Sequence, residues 1–332
     1  MHRIPLALFA VVLATICTSA RAQSWSVELL PGGGEGSATS INNLGVIVGA
    51  LKAGSGYQAV SWPAPATLPT FFAGVAGATT WGAAAINDSG VIAGNGDAWD
   101  FPSVWTNGVP TQLPFLPNGD MAQVYDINAA GEIAGWGTGS GATGTYAIRW
   151  TPAGPIELPR PSTASTCSAH AINDAGDLVG YCNLSNGSRA TLWVGTTPIV
   201  LGLLGTASSS NAYDLEDSGL VVGSSTINGK SQATRWADGV PKRLAKLTNN
   251  EASAAYAIGT SGRMVGYTRL KNGTIVATTW LGVNSVTALP AVAGTNHCVA
   301  QDINASNAIV GYCYNSAVVP FVWRPVKWAQ SL

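Results

Sequence analysis

Charge is scarce in this chain. Only 10% of its 332 residues are Asp, Glu, Lys or Arg, and the formal net charge is −1, against a quarter or so of charged residues in ordinary globular chains. Helices draw on Lys, Glu and Leu, so a sequence short of charge and carrying 40 glycines and 12 tryptophans argues for an all-β protein. A pI near 6.3 leaves no excess of positive charge for nucleic acid. Disorder is excluded by a 46% hydrophobic content at near-zero net charge. Histidine is scarcer still, with three in the chain, of which only His170 and His297 lie beyond the first residues. The sequence holds no G-x-S-x-G elbow, no H-E-x-x-H pair and no phosphate-binding loop. No cofactor and no metal ion is therefore expected.

Long apolar runs are also missing, with one exception at the start. His2 and Arg3 precede an apolar run from Leu6 to Ile16, too short to cross a bilayer, and Ala20-Arg21-Ala22 forms a small-residue cleavage site before Gln23. Residues 1–22 thus read as a signal peptide. The expectation is a secreted or periplasmic chain of residues 23–332 with no membrane insertion once the signal is gone.

What the sequence has in abundance is repetition. One phrase, Ile-Asn-x-x-Gly followed by apolar residues and a second glycine, leads four copies at Ile41, Ile86, Ile127 and Ile172, and recurs in altered form at Leu215 (Leu-Glu-Asp-Ser-Gly), Ile258 (Ile-Gly-Thr-Ser-Gly) and Ile303 (Ile-Asn-Ala-Ser-Asn), seven copies in all. Successive leaders are 45, 41, 45, 43, 43 and 45 residues apart, and each copy closes on a glycine eight residues on, from Gly49 to Gly311. A tryptophan follows in every copy: Trp62, Trp105, Trp150, Trp193, Trp236, Trp280 and, by order, Trp323. In the fourth copy, residues 168–172, 177–181, 188–193 and 198–201 read as short strands a to d, separated by turn residues such as Asn173-Asp174-Ala175-Gly176. Four antiparallel strands in some 44 residues make one propeller blade. The predicted fold is a seven-bladed β-propeller of four-stranded antiparallel blades. Its last repeat lacks room for strand d, and the segment Trp25–Pro31 resembles the other d strands, so the N-terminal strand is expected to complete the last blade and leave no open sheet edge.

These repeats resemble the exported HAF-repeat family, in which A-x-x-I-N-D-x-G-x-V-V-G precedes a His-Ala-Phe-x-Trp strand. The alanine of that second half stands at Ala59, Ala147, Ala190, Ala233 and Ala277, whereas the histidine is absent from every copy. The resemblance implies an extracellular repeat protein and says little of chemistry.

Cys167 and Cys182 are 15 residues apart, as are Cys298 and Cys313. In both pairs the first precedes the repeat's Ile by five residues and the second follows its Gly by two, so folding the a–b hairpin brings them together. Two disulfides, 167–182 and 298–313, are predicted, consistent with export.

Candidate site residues come from tryptophans outside the repeat position. Trp81 falls in a d–a loop, Trp99 in a b–c loop and Trp136 at the end of strand b, all on the face shared by those loops; Tyr181, Tyr267 and Tyr312 match Trp136 in other copies. Asp97 and Asp100 flank Trp99. Aromatic rings beside carboxylates suit sugars, whose C–H faces stack and whose hydroxyls hydrogen-bond. The expected function is non-catalytic binding of a glycan or of an extracellular or envelope protein, at Trp81, Trp99, Trp136, Asp97 and Asp100. The alternatives are a propeller glycosidase or polysaccharide lyase using Asp97, Asp100 or His170, and a structural protein of the envelope. Charge adds one more feature: residues 23–148 hold eight acidic side chains against Lys52 alone, whereas eight of the basic ones fall within 230–271. That sector is suited to an anionic partner.

Overall fold

Seven four-stranded antiparallel sheets, one per repeat, form the computed structural model, which describes residues 24–32, 34–97, 100–139 and 144–330. The signal-peptide segment and Trp99 lie outside the described residues. The sheets are the blades of a seven-bladed β-propeller, and no helix occurs among the described residues. Blade 4 shows the pattern, with strands Ala164–Ile172, Leu178–Leu184, Gly187–Val194 and Thr197–Val200 hydrogen-bonded in that order.

Blade 7 draws its outer strand from the other end of the chain. Trp25–Leu29 pairs antiparallel with Arg324–Gln330, from Trp25 opposite Gln330 to Leu29 opposite Val326. The ring is therefore closed by backbone hydrogen bonds between the two ends, as the sequence predicts. One assignment needs correcting. The seventh repeat tryptophan is Trp328, not Trp323. Trp328 faces Ile309 as Trp62 faces Ile47, and it is fully buried, while Trp323 is 42% exposed. Blade 7 has a longer b–c connection, residues 315–323, which pushes strand c beyond Trp323.

The core is distributed. Each of seven apolar clusters lies between two blades and holds one fully enclosed tryptophan, with Trp25 and Trp81 packed on two of them from the edge. Trp193 of blade 4 packs on Ala134 and Ala147 of blade 3, and Trp236 of blade 5 on Val179 and Ala190 of blade 4. This explains the recurrent alanine: a small side chain leaves room for the next blade's indole. Each indole N–H also donates to a carbonyl just past strand d of the preceding blade, among them Pro114 for Trp150, Pro159 for Trp193, Pro290 for Trp328 and, across the closure, Pro31 for Trp62. A buried tryptophan needs a partner for its N–H, and here that partner ties two blades together.

The asparagine of the repeat phrase does the same near the axis. Asn42, Asn87 and Asn128 donate through Nδ2 to the backbone carbonyls of Asn87, Asn128 and Asn173, and Asn304 donates to Asn42 across the closure. Their Oδ1 atoms cap their own turns, as with Asn42 accepting from the Val46 N–H. The residue after Asn links blades too: Asn43 N–H donates to Asp88, Ala129 N–H to Asp174 and Asp174 N–H to Asp217. The motif is stitching between blades.

The closing glycine of each repeat answers to a bulge. In every innermost strand the register slips at one equivalent residue: Thr39, Ala84, Tyr125, His170, Tyr213, Tyr256 and Gln301 have no partner on strand b, and blades 4 and 6 slip a second time, at Ser165 and Glu251. At Gly180 an added Cβ would lie 1.9 Å from the Ser168 carbonyl oxygen, and at Gly135 2.0 Å from that of Gln123. Only glycine leaves room for that approach.

The predicted disulfides are present. Cys167 faces Cys182 and Cys298 faces Cys313 in register, each pair with Cα atoms 4.1 Å apart. They point to an oxidising compartment, extracellular or periplasmic. No helix of the described residues is long and apolar enough to cross a membrane.

Candidate functional site

The bulges decide what lines the central channel. A regular strand turns alternate side chains to opposite faces, but one unpaired residue lets two consecutive side chains turn to the axis. The first of these two positions carries Thr39, Ala84, Tyr125, His170, Tyr213, Tyr256 and Gln301; the second carries Ser40, Ala85, Asp126, Ala171, Asp214, Ala257 and Asp302. Together they enclose a cavity of about 310 Å³ on the axis. The asparagine turns close the far end around a smaller cavity of about 220 Å³.

Three carboxylates look into the larger cavity, and each spans two blades. Asp126 accepts the Ile127 N–H of its own blade and the Ile172 N–H of blade 4, at 2.8 and 2.9 Å. Asp214 spans blades 5 and 6 through Leu215 and Ile258, and Asp302 spans blades 7 and 1 through Ile303 and Ile41. Because one carboxylate serves two blades, the partner blade carries Ala or Ser. Seven is odd, so one blade is left over: blade 2, with Ala85. The carboxyls keep some exposure to the channel, yet protein atoms crowd them and take away the hydration of the charged form. Burial pushes Asp126 up to about 7 against the pull of its two amide donors, and raises Asp302 and, well above the usual range, Asp214.

Toward the d–a/b–c face the channel becomes aromatic on one side. His170 touches Tyr125, Tyr181 and Tyr213 with ring centroids 4.6, 5.4 and 5.8 Å away. Tyr213 leads to Tyr256 at 5.3 Å and Tyr256 to Tyr267 at 5.6 Å. In blade 7, Tyr312 meets Trp323 at 5.6 Å, and Tyr314 meets Phe321 at 5.5 Å and His297 at 4.8 Å. Phe321 and Trp323, in the long b–c connection, are 46% and 42% exposed. Blades 1 and 2 offer only small or short side chains at matching positions: Thr39, Ala50, Ala84 and Asn95. The mouth is thus an aromatic wall facing an open side.

His170 sits among the rings of three tyrosines. Desolvation by the surrounding rings lowers it to about 4, so it is a neutral, flat ring at neutral pH, and among the described residues no carboxylate hydrogen-bonds it. No group of three or more His, Cys, Asp or Glu among the described residues is placed to hold a metal ion. His297 accepts the Ile275 N–H on Nδ1 and stacks on Tyr314, beside the oxidised Cys298.

The residues singled out from the sequence fall in two places. Trp136 belongs to the channel wall, its indole N–H 3.2 Å from both Gln123 Oε1 and the Tyr125 hydroxyl. Trp81, Asp97 and Asp100 belong to the rim of blade 2. Trp81 begins strand a, packs on the blade 1–2 core and donates its N–H to the Phe72 carbonyl at 2.7 Å. The Asp97 carboxylate takes the amides of Thr79 and Thr80 at 2.7 and 2.8 Å and both their hydroxyls, which holds it below the usual carboxylate range and fixes the d–a loop. Asp100 is exposed, and its carbonyl accepts from Gln112. The sequence reading did not single out Tyr125, Tyr213, Tyr256 or the three aspartates. Their signal was available: all stand one or two places before the repeat's lead residue, where the bulge turns both toward the axis.

No family model matches the chain, and no curated protein matches it by sequence. Its fold resembles solved structures at low identity. A virginiamycin B lyase from Staphylococcus aureus matches with a TM-score of 0.57 and 12% identity over 92% of this chain and 99% of that one. A puromycin hydrolase matches with a TM-score of 0.60 and 12% identity over 92% of this chain, which spans 54% of that protein's length. A Mycobacterium tuberculosis puromycin-hydrolyzing peptidase matches with a TM-score of 0.57 and 12% identity over 88% of this chain and 52% of that one. At such identity the likeness shows the propeller fold.

Proposed function

We propose that the protein is an exported, non-catalytic glycan-binding propeller, with its ligand seated at the channel mouth on the d–a/b–c face. The observation that carries this reading is the run of rings from Tyr125 through His170, Tyr213 and Tyr256 to Tyr267, continued in blade 7 by Tyr312 and the exposed Trp323. Flat apolar faces with hydroxyls at their edges match a sugar, which presents C–H faces and hydroxyl rims. Trp136 contributes to this wall. The rim residues Trp81, Asp97 and Asp100 form an outer flank, since the Trp81 N–H and the Asp97 carboxylate are already engaged within the fold. That engagement, together with the neutral His170, favours binding over a hydrolase or lyase. The leader of residues 1–22 and the kinship with HAF-repeat proteins belong to the same proposal: in this chain the Ile-Asn-x-x-Gly phrase serves the scaffold and leaves specificity to residues between the copies.

A glycan array probed with the mature protein and with Trp323→Ala tests the proposal. The expected result is a set of glycans that the wild type binds and that Trp323→Ala binds several-fold more weakly, with an unchanged melting temperature. Absence of any glycan binding, or full retention by Trp323→Ala and Tyr312→Ala alike, overturns it.

A further inference from the structure

The basic sector gathers on the propeller. Lys230, Arg243, Lys246 and Lys271 come from separate segments: the start of strand c and the end of strand d in blade 5, the following d–a loop, and the b–c turn of blade 6. They line one pocket of about 340 Å³ between blades 5 and 6, on the same face as the channel mouth. Only Glu251 opposes them there, and it is already shared between Lys230 at 3.1 Å and Arg269 at 3.7 Å. Four cations against one committed carboxylate leave an excess of positive charge. The strain of crowding is visible at Lys246, lowered by desolvation and by Arg243.

A second observation concerns the pocket's polar lining. Gln232 is 5% exposed and lines the pocket, its Nε2 donating to the Ser231 carbonyl while its Oε1 has no partner. Asn250 lines it too, with Nδ2 bound to the Ala252 carbonyl and Oδ1 buried without a partner. A buried, unpaired carbonyl oxygen is destabilising and calls for a donor. A bare sulfate would satisfy the lysines and repel these two oxygens, and inorganic phosphate can offer hydroxyl donors only from the same phosphorus that must meet the lysines. A ligand satisfying both sets must carry an anionic group and hydroxyl donors on one small frame.

We propose that this pocket binds an acidic sugar residue, its carboxylate or sulfate held by Arg243, Lys246 and Lys271 and its hydroxyls donating to Gln232 Oε1 and Asn250 Oδ1. The site is separate from the channel mouth and does not depend on the reading given for it.

The test is calorimetric titration of the mature protein with four probes: a tetragalacturonate, its methyl ester, a sulfated neutral tetrasaccharide and inorganic phosphate. The tetragalacturonate or the sulfated sugar is expected to bind, the tighter of the two naming the anion. The methyl ester and phosphate should bind at least tenfold more weakly. Lys246→Glu/Lys271→Glu, both exposed and expected to fold, should weaken the sugar at least tenfold, as should added salt. Gln232→Met, which removes the orphaned oxygen, should weaken the sugar and leave phosphate unchanged. No binding by either acidic sugar overturns the proposal, as does binding that the charge reversal leaves intact, equal binding of the ester, or phosphate binding as tightly as the sugar. Trp323→Ala, expected to leave this titration unchanged, separates this site's outcome from that of the channel mouth.

Discussion

At Gly180 a single methyl group would collide with a backbone oxygen, whereas at Gly54 an added Cβ meets nothing within 4 Å despite a φ of +64°. The two positions separate two reasons for glycine. Gly180→Ala is expected to destabilise by about 3 kcal/mol or more, since backbone cannot yield as a side chain does; Gly54→Ala should cost about 1 kcal/mol from the strained φ alone. Chemical denaturation of the two variants checks the ranking, and similar losses would refute the bulge-contact account. The same contrast divides Trp328 from Trp323. Trp328→Ala empties a filled space between blades and should cost roughly 3–5 kcal/mol, while the exposed Trp323→Ala should leave the melting temperature in place.

Within elements, the innermost strands carry titrations of opposed sense. Asp126 titrates at about 7 in the fold against an ordinary 3.8, so the native state keeps a proton that the unfolded chain gives up. Its contribution is whole below about pH 4 and is lost as the pH rises to 7. His170 titrates at about 4 against an ordinary 6.5, so its contribution is present above pH 6.5 and lost as the pH falls. The two oppose each other over the same range, and the raised Asp214 and Asp302 act in the sense of Asp126. Asp126→Asn removes the Asp126 contribution alone: between pH 4 and pH 7 its unfolding free energy should gain a few kcal/mol relative to that of the wild type. Urea titrations at both pH values decide it, and a wild-type-minus-variant difference that is the same at pH 4 and pH 7 would refute the assignment. The hairpin disulfides act on the same scale. Each closes a 15-residue separation, worth at most about 3 kcal/mol in the chain-entropy model. Their hairpins are already paired, so Cys167→Ala/Cys182→Ala should lose less than that and keep the propeller fold, as read by circular dichroism.

For the molecule as a whole, closure is the weak link, because every other blade is continuous in sequence. Trp25–Leu29 provides the outer strand of blade 7, and Pro31 accepts from Trp62 of blade 1. Deleting residues 24–31 exposes the edge of Arg324–Gln330 and orphans a buried indole N–H. The whole ring, not blade 7 alone, is expected to lose stability, seen as one cooperative transition at lower temperature, with partial recovery on adding a peptide of residues 24–31. A transition split between a stable body and a loose blade 7 would show that closure is local.

Repeat count, blade phase, the strand that closes the ring and the disulfide pairing are all determined by the sequence, because each rests on local spacing: a turn signal, a strand length, a hairpin register. Residues 41, 86, 127, 172, 215, 258 and 303 keep one rhythm that strand geometry converts directly into blades. The tertiary structure alone decided which residues meet. The bulge breaks the alternation on which a strand is read, so Asp126 and Tyr125, adjacent in sequence, share the channel. The long b–c connection in blade 7 exchanges the roles of Trp323 and Trp328, which spacing alone does not distinguish. The partners of Lys230, Arg243, Lys246 and Lys271 follow from two blades lying side by side. Local rules act over a few bonds, whereas a binding site is made of side chains brought together by packing.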